Sequence, residues 1–479
     1  MAAFAAKFFR ASSAVLLSRL LGFLREVLTA ALFGAGALTD AFFLAWKVPN
    51  LFRRVLGEGA VEKVLLPSLG RKADPNYLSA VLFWLLFLSL VVAAALALLS
   101  EEVISVLAPF APPETVEAAA LMLKPLAFYL PLISVAAFFG ALLQHGEHFF
   151  KAYFHQAVFN AAAVALLLLL SPHLGVYALV WAVLLAGVLQ TLYAAAAAKR
   201  AGLFVWPRPS LGTRVKRFFK NLVPSFFSAG VGQVAVLAEA FFATAAGSGV
   251  LSALYYAQRL YFLPVSLVGI AAGRVNLSEL AKAEPERFFE KLAEASAAAT
   301  KLVVPLTIAS LVAAESAVKL VYERGNFGPS DAAEVALYLK LYSLGLPAAV
   351  LLPLVSNLYY AKGAFYRLFF LTLVWPAVEV LLSAVGVFYL RLGGAAVAAA
   401  HSLGAWSALL LLLWDRRLFD LPKEVWRRTR RLLPLWGAEA LTLLWAAENF
   451  GQGTETFLTA TAWGLYFLWD LRRERKKGA

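Results

Sequence analysis

The chain has no cysteine and carries little charge. With Cys at 0, a disulfide framework, a thiolate metal site and a cysteine nucleophile are all excluded. Charged residues make up 15% and hydrophobic residues 62%, where a soluble globular chain has about 25% and 45–50%. Such an apolar excess has no water-compatible place to go, and lipid is the solvent that suits it. Long polar segments are also scarce. The longest, Lys199 to Lys220 and Asp415 to Arg431, are basic linkers of roughly 20 residues, which leaves no room for an extramembrane catalytic domain. Histidines number 5. His145 and His148 stand three apart in one polar turn, a spacing that suits a metal, but no third ligand is near them in sequence.

What the chain does have is a series of apolar segments. A bilayer core about 30 Å thick needs roughly 20 helical residues. That ruler predicts an all-α polytopic membrane protein of about fourteen transmembrane helices. They fall near 8–33, 38–68, 78–99, 117–144, 152–170, 174–198, 216–245, 250–280, 288–320, 333–361, 367–390, 394–415, 426–448 and 455–471. Glycines and prolines mark many ends, among them Gly34 and Gly36, Asp74-Pro75, Pro112-Pro113, Ser171-Pro172, Gly247 and Gly249, and Gly393-Gly394. The opening stretch reads as a retained first span rather than a cleavable signal, because Arg19 and Arg25 interrupt it and no usual cleavage site follows.

The formal net charge is +14. In a soluble protein that would suggest nucleic acid; here the placement of the charge argues against nucleic acid. Lys and Arg collect in every second connection, by roughly ten to one, so the positive-inside rule predicts both termini in the cytoplasm. Topology alone accounts for these basic loops, and binding of anionic lipid headgroups is the minor alternative.

The chain also repeats itself. Gly34-Ala-Gly-Ala-Leu-Thr-Asp-Ala-Phe-Phe43 reads onto Gly247-Ser-Gly-Val-Leu-Ser-Ala-Leu-Tyr-Tyr256, 213 positions later. About six spans separate the copies, which predicts parallel repeats with a substrate site near mid-membrane. The expected organisation is an N-terminal six-helix lobe over 1–200, a second over 215–416, and two extra helices over 425–472.

Charged side chains are expensive within a bilayer and normally face a polar cavity or a partner. The first span carries Ser18, Arg19, Arg25 and Glu26; the second carries Asp40, Lys47, Asn50, Arg53, Arg54 and Glu58. Asp40, Phe43, Lys47, Asn50, Arg54 and Glu58 recur at helical spacing and form one stripe, while Arg19 and Glu26 share a face, as do Ser18, Gly22 and Arg25. Pro49, Gly57 and Gly59 predict a kinked second span and are hinge candidates. Arg259 follows Tyr256 much as Lys47 follows Phe43, so matching spans each bring a cation suited to a phosphate. Glu239 and Glu379 are candidates for a Na+ or H+ coupling site. Two plainer readings exist for the cations: snorkelling from helix ends, and an ion-pair network that supports the fold. The residues alone leave these open beside a substrate cavity.

Ser18-Arg-Leu-Leu-Gly-Phe-Leu-Arg-Glu26, Phe33-Gly-Ala-Gly, Thr39-Asp-Ala-Phe-Phe, Lys47-Val-Pro-Asn-Leu, Arg53-Arg54 and Gly57-Glu-Gly-Ala60 resemble the MurJ lipid II flippase family. Tyr256-Ala-Gln-Arg-Leu-Tyr-Phe-Leu-Pro264, Tyr322-Glu-Arg-Gly-Asn-Phe327 and Tyr359-Tyr-Ala361 follow the same pattern. The resemblance implies the multidrug/oligosaccharidyl-lipid/polysaccharide exporter fold, with two parallel six-helix lobes around a central cavity and two C-terminal helices forming a lipid-tail groove. It implies that Arg19, Arg25, Arg53 and Arg259 line the cavity, supported by Ser18, Asp40, Lys47, Asn50 and Glu58. Lipid II in the bacterial inner membrane would be the substrate, peptidoglycan synthesis and cell shape the process, and no enzymatic step or resident cofactor is implied. A monomer suffices for such a cavity, with membrane lipids around it and cell-wall synthesis proteins as possible company. Two departures stand out: Gln258 where the family usually has Asp, and Glu239 and Glu379 where it has shorter side chains.

The rival readings are a flippase for another polyprenyl-diphosphate-linked sugar, a cation-coupled drug antiporter of the same fold, and a membrane enzyme on polyprenyl phosphates. An antiporter for organic cations wants an acidic aromatic cavity. The enzyme needs an acidic metal cluster or a nucleophile in a loop. Neither pattern stands out in the sequence.

Overall fold

The computed structural model describes residues 2–53, 61–69, 74–282, 284–416, 418–449, 456, 458–464 and 466–467, and every regular element among them is a helix. Lipid offers no partner for a backbone N–H or C=O, so an apolar chain must satisfy those groups within each segment, which a helix does. Among the described residues, six helical stretches are long and apolar enough to cross a membrane: Pro75–Leu98, Phe149–Arg200, Pro285–Val312, Pro329–Ala361, Tyr366–Tyr389 and Gly394–Asp415. Leu169, Leu192, Leu381 and Leu410 lie exposed on these helices, the reverse of a water-soluble surface.

Two compact units form along the chain, Met1–Gly249 and Val250–Ala479. In the first, Phe149–Leu174 and Ala178–Arg200 form a hairpin, and Ala2–Phe33 packs along the former. The break lies three residues beyond the expected one. The helix runs through Pro172 and ends where Gly175 takes φ +53°. A left-handed glycine ends a helix decisively, whereas one missing N–H near the last turn can be tolerated.

The span expected over 117–144 is not one rod. Pro113–Leu126 and Tyr129–His145 meet at a bend of 40°. Pro125 and Pro131 flank the bend, and each removes a backbone donor from the helical ladder. The segment expected over 250–280 consists of Val250–Pro264, a π-helical stretch over Val265–Ile270, and Ala271–Lys282, the change of winding following directly on Pro264.

The repeat is visible in the backbone. Gly34 takes φ +63° and Gly247 takes φ +142°, and helices begin at Ala37 and Val250, three residues after each. In the second unit, Leu433–Asn449 packs on Phe288–Val312 through Leu432 and Trp436, which cluster with Phe467, Leu302 and Ile308. Trp463 Nε1 donates to Thr442 Oγ1 at 2.8 Å and ties the last described helical residues to the same helix.

Candidate functional site

In the first unit, the Ser18, Gly22 and Arg25 face of Ala2–Phe33 lies on Phe149–Leu174. Asn160 Nδ2 donates to the Ser18 carbonyl at 2.9 Å and to its Oγ at 3.2 Å. A Cβ at Gly22 would come within 3.3 Å of the same amide nitrogen, so a small residue is needed for this approach. Two turns from Ser18, the Arg25 guanidinium sits 5.6 Å from the Phe159 ring centroid and 3.6 Å from the Glu26 carboxylate. The ring face attracts the cation and the carboxylate balances it. Arg19 and Glu26 differ although they share a helical face. Glu26 is buried, while Arg19 is exposed beside Leu16 and Leu20 and makes no hydrogen bond or ion pair among the described residues.

The stripe on Ala37–Phe52 is largely buried. Asp40 stands in the first turn, where the helix dipole favours an anion, and its Oδ2 accepts the Gly249 N–H at 2.6 Å. Phe43 is buried on the same stripe. Lys47 Nζ lies 3.6 Å from Glu239 Oε1 and donates to the Val236 carbonyl at 2.9 Å. Both side chains are buried, 10% and 5% exposed, so their attraction offsets part of the cost of taking them out of water. Pro49 is buried inside the helix and cannot donate to the Ala45 carbonyl. Asn50 Oδ1 accepts from Arg53 Nε at 2.9 Å and orients that guanidinium at the helix end. Arg54, Gly57, Glu58 and Gly59 lie outside the described residues.

In the second unit, Arg259 is held on its own helix. Its Nη2 donates to the Tyr255 hydroxyl at 2.5 Å, and its Cζ lies 4.3 Å from that ring centroid. Gln258 Nε2 donates to the Tyr342 hydroxyl at 3.2 Å. The next aromatic on the helix faces the core: the Tyr256 ring lies 5.3 Å from Tyr322 and 5.7 Å from Phe327. The Tyr322–Phe327 motif thus has a packing role here, fixing the helix that carries Arg259.

The two candidate coupling carboxylates each have a base beside them. Glu239 has Lys47, and Glu379 has His401, whose Nδ1 lies 3.3 Å from the carboxylate. Among the described residues, no three His, Cys, Asp or Glu side chains converge as metal ligands.

Asn160, Phe159, Tyr255 and His401 were not singled out by the sequence reasoning. Two of them left a signal: Asn160 is a lone amide in an apolar run, and His401 a lone imidazole among small residues. Phe159 and Tyr255 left none, because aromatics are common in such helices.

The sequence profile described as "MurJ: Lipid II flippase MurJ" matches residues 29–450. The probable lipid II flippase MurJ of Aquifex aeolicus is 30% identical over 431 residues, covering 86% of this chain and 83% of its own. That of Rhizobium meliloti is 31% identical over 427 residues, covering 85% and 79%. A solved structure of lipid II flippase MurJ in an inward closed conformation aligns with TM-score 0.80 at 22% identity, over 97% of this chain and 99% of its own. An inward-facing multidrug resistance transporter of the MATE family aligns with TM-score 0.68 at 18% identity, over 86% and 99%. At these structural identities the likeness concerns the fold.

Proposed function

The chain belongs to the MurJ family of lipid II flippases, and on that premise we propose that it carries lipid II, the lipid-linked peptidoglycan precursor, from the cytoplasmic to the outer leaflet of the bacterial inner membrane. It acts as a transporter and not an enzyme: the substrate changes leaflet and no bond is broken. The architecture proposed for it is fourteen spans, with six-helix lobes over 1–200 and 215–416, two further helices over 425–472 that hold the polyprenyl tail, and both termini in the cytoplasm.

One observation carries the reading. On otherwise apolar helices, the cations are positioned by neighbours: Arg25 by Phe159 and Glu26, Arg53 by Asn50, Arg259 by Tyr255. Freely snorkelling side chains would not need such supports. The diphosphate of the headgroup is the group that arginine forks recognise in bidentate fashion. Arg19, Arg25, Arg53 and Arg259 bind it, with Ser18, Lys47 and Asn50 in support. Binding favours one conformation only through contacts that differ between the two, and on this reading the cations supply such a difference, since like charges brought to one anion repel one another until it arrives. Alternating access then follows from rocking of the lobes. A membrane potential acts on any net charge moved, at roughly 2.3 kcal/mol per charge per 100 mV.

The test is rescue of cells depleted of their own lipid II flippase, with membrane levels checked by blot. The parent protein restores growth, and Arg25→Ala and Arg259→Ala insert but fail. Rescue by both variants would make the arginines structural. Failure of a well-expressed parent would favour another polyprenyl-diphosphate-linked sugar.

A further inference from the structure

The second unit buries a cluster of polar groups with no packing need for them. Glu379 is 3% exposed on Val374–Ala384, and His401 packs against it from Gly394–Asp415. His401 Nδ1 is 3.3 Å from Glu379 Oε1 and 3.3 Å from Oε2, so the imidazole bisects the carboxylate. Three aromatic rings wall the imidazole: Trp375 at 5.1 Å, Tyr342 at 5.2 Å and Tyr261 at 5.7 Å between centroids, all edge-on. Two hydroxyls nearby are unspent. Tyr261 Oη and Ser383 Oγ are buried and make no hydrogen bond among the described residues. Ser383 stands one turn from Glu379 on the same helix, and Tyr261 meets the pair through its ring, edge-on to the His401 imidazole.

A buried polar atom without a partner costs free energy, so several in one place imply a state in which they are used. Among the described residues, the titratable groups facing the pair include Tyr261 from Val250–Pro264 and Tyr342 from Pro329–Ser343. Arg367 and Asp415, at the far ends of the two helical stretches, bind each other at 2.6 Å. Counted by itself, the pair is neutral when it holds one proton, as carboxylate with imidazolium or as carboxyl with imidazole. Losing that proton leaves a buried anion, and the two spare hydroxyls can donate to it. The site is therefore equipped for two proton states. A metal cation fits poorly, because the imidazole already occupies the bisector of the carboxylate where the cation would bind.

We propose that Glu379 and His401 form a buried proton-binding site in which Tyr261 and Ser383 receive the carboxylate when the proton leaves. This deepens the functional reading, on which it rests for its purpose: the coupling ion of the transport cycle is H+ and not Na+.

The proton site can be tested without any substrate. The protein is labelled with 15N at its five histidines, placed in lipid nanodiscs and titrated by NMR in sodium and then in choline salts. The His401 signal is the one lost in His401→Gln. Glu379→Gln moves its titration midpoint by at least about one pH unit, roughly tenfold in proton affinity. Tyr261→Phe keeps the ring, removes the spare hydroxyl and moves the midpoint by less. Exchange of sodium for choline leaves it in place. A midpoint unmoved by either variant overturns the proposal. A midpoint that shifts with sodium also overturns it and gives the carboxylate to a metal cation. Neither result bears on whether the chain flips lipid II.

Discussion

The Asp40 carboxylate accepts the Gly249 N–H at 2.6 Å, and both residues are buried. Asp40 belongs to the first copy of the repeat and Gly249 to the opening turn of the second. Gly249 suits the contact: its φ is +84°, and a Cβ there would come 3.2 Å from the Ala35 carbonyl oxygen. The bond is charge-assisted and satisfies an amide that water cannot reach.

Asp40→Ala should therefore lower stability by about 1–3 kcal/mol, because the buried amide loses this charge-assisted acceptor. Asp40→Asn keeps an oxygen there and should lose less. Thermal unfolding of purified protein in detergent compares the two. Equal losses would show that the carboxylate charge, and not the acceptor, carries the effect.

Lys47 and Glu239 should behave as a unit. Removing either leaves the other charged and buried, which typically costs about 3–5 kcal/mol. Lys47→Met and Glu239→Leu should each destabilise strongly, whereas the double variant should recover most of the loss. If the double variant melts near the parent yet fails to rescue flippase-depleted cells, Lys47 serves transport as well as folding. If the losses simply add, the pair at 3.6 Å is not coupled.

These contacts mark where sequence reasoning stops. The entry turns were legible, since a left-handed backbone selects glycine and Gly34 and Gly247 both take positive φ. So was the sharing of one face by Ser18, Gly22 and Arg25, because 3.6-residue periodicity acts within a helix. The bend at 127–128 was hidden: hydropathy averages across it, and only Pro125 and Pro131 hint at it. Partners on different helices were not legible. Asn160 and Ser18 are 142 positions apart, and Lys47 and Val236 are 189 apart. Periodicity says which way a side chain points on its own helix, not which helix meets it. The bases beside the coupling candidates, Lys47 at Glu239 and His401 at Glu379, were equally hidden, because each lies on another helix.

Arg259 should depend on Tyr255 in two separable ways. Tyr255→Phe removes the hydroxyl that accepts from Nη2 but keeps the ring under the guanidinium. Tyr255→Leu removes both. A cation–π contact is worth about 0.5–2 kcal/mol, so growth rescue should fall slightly for Phe and clearly for Leu. Equal rescue by Leu and the parent would show that Arg259 needs no such positioning.

Gly404 should be intolerant of a methyl group, and the reason bears on the proton site. A Cβ at Gly404 would lie 2.7 Å from Trp375 Cδ1 and 2.8 Å from the Trp375 carbonyl oxygen. A flexible side chain could yield, but a carbonyl in a helix cannot, so Val374–Ala384 and Gly394–Asp415 must part. Those helices bring Glu379 and His401 to 3.3 Å, and Trp375 walls the imidazole. Gly404→Ala should thus destabilise by roughly 1–3 kcal/mol, the usual cost of overpacking, and move the His401 NMR signal. Gly437 is the control. It lies inside Leu433–Asn449 with nothing within 4 Å of a built Cβ. Gly437→Ala should stabilise by about 0.5–1 kcal/mol through helix propensity and leave His401 unmoved. Should Gly404→Ala destabilise while the His401 signal stays put, the helices have parted without reaching Glu379, and the close approach at Gly404 sets packing but not the proton site.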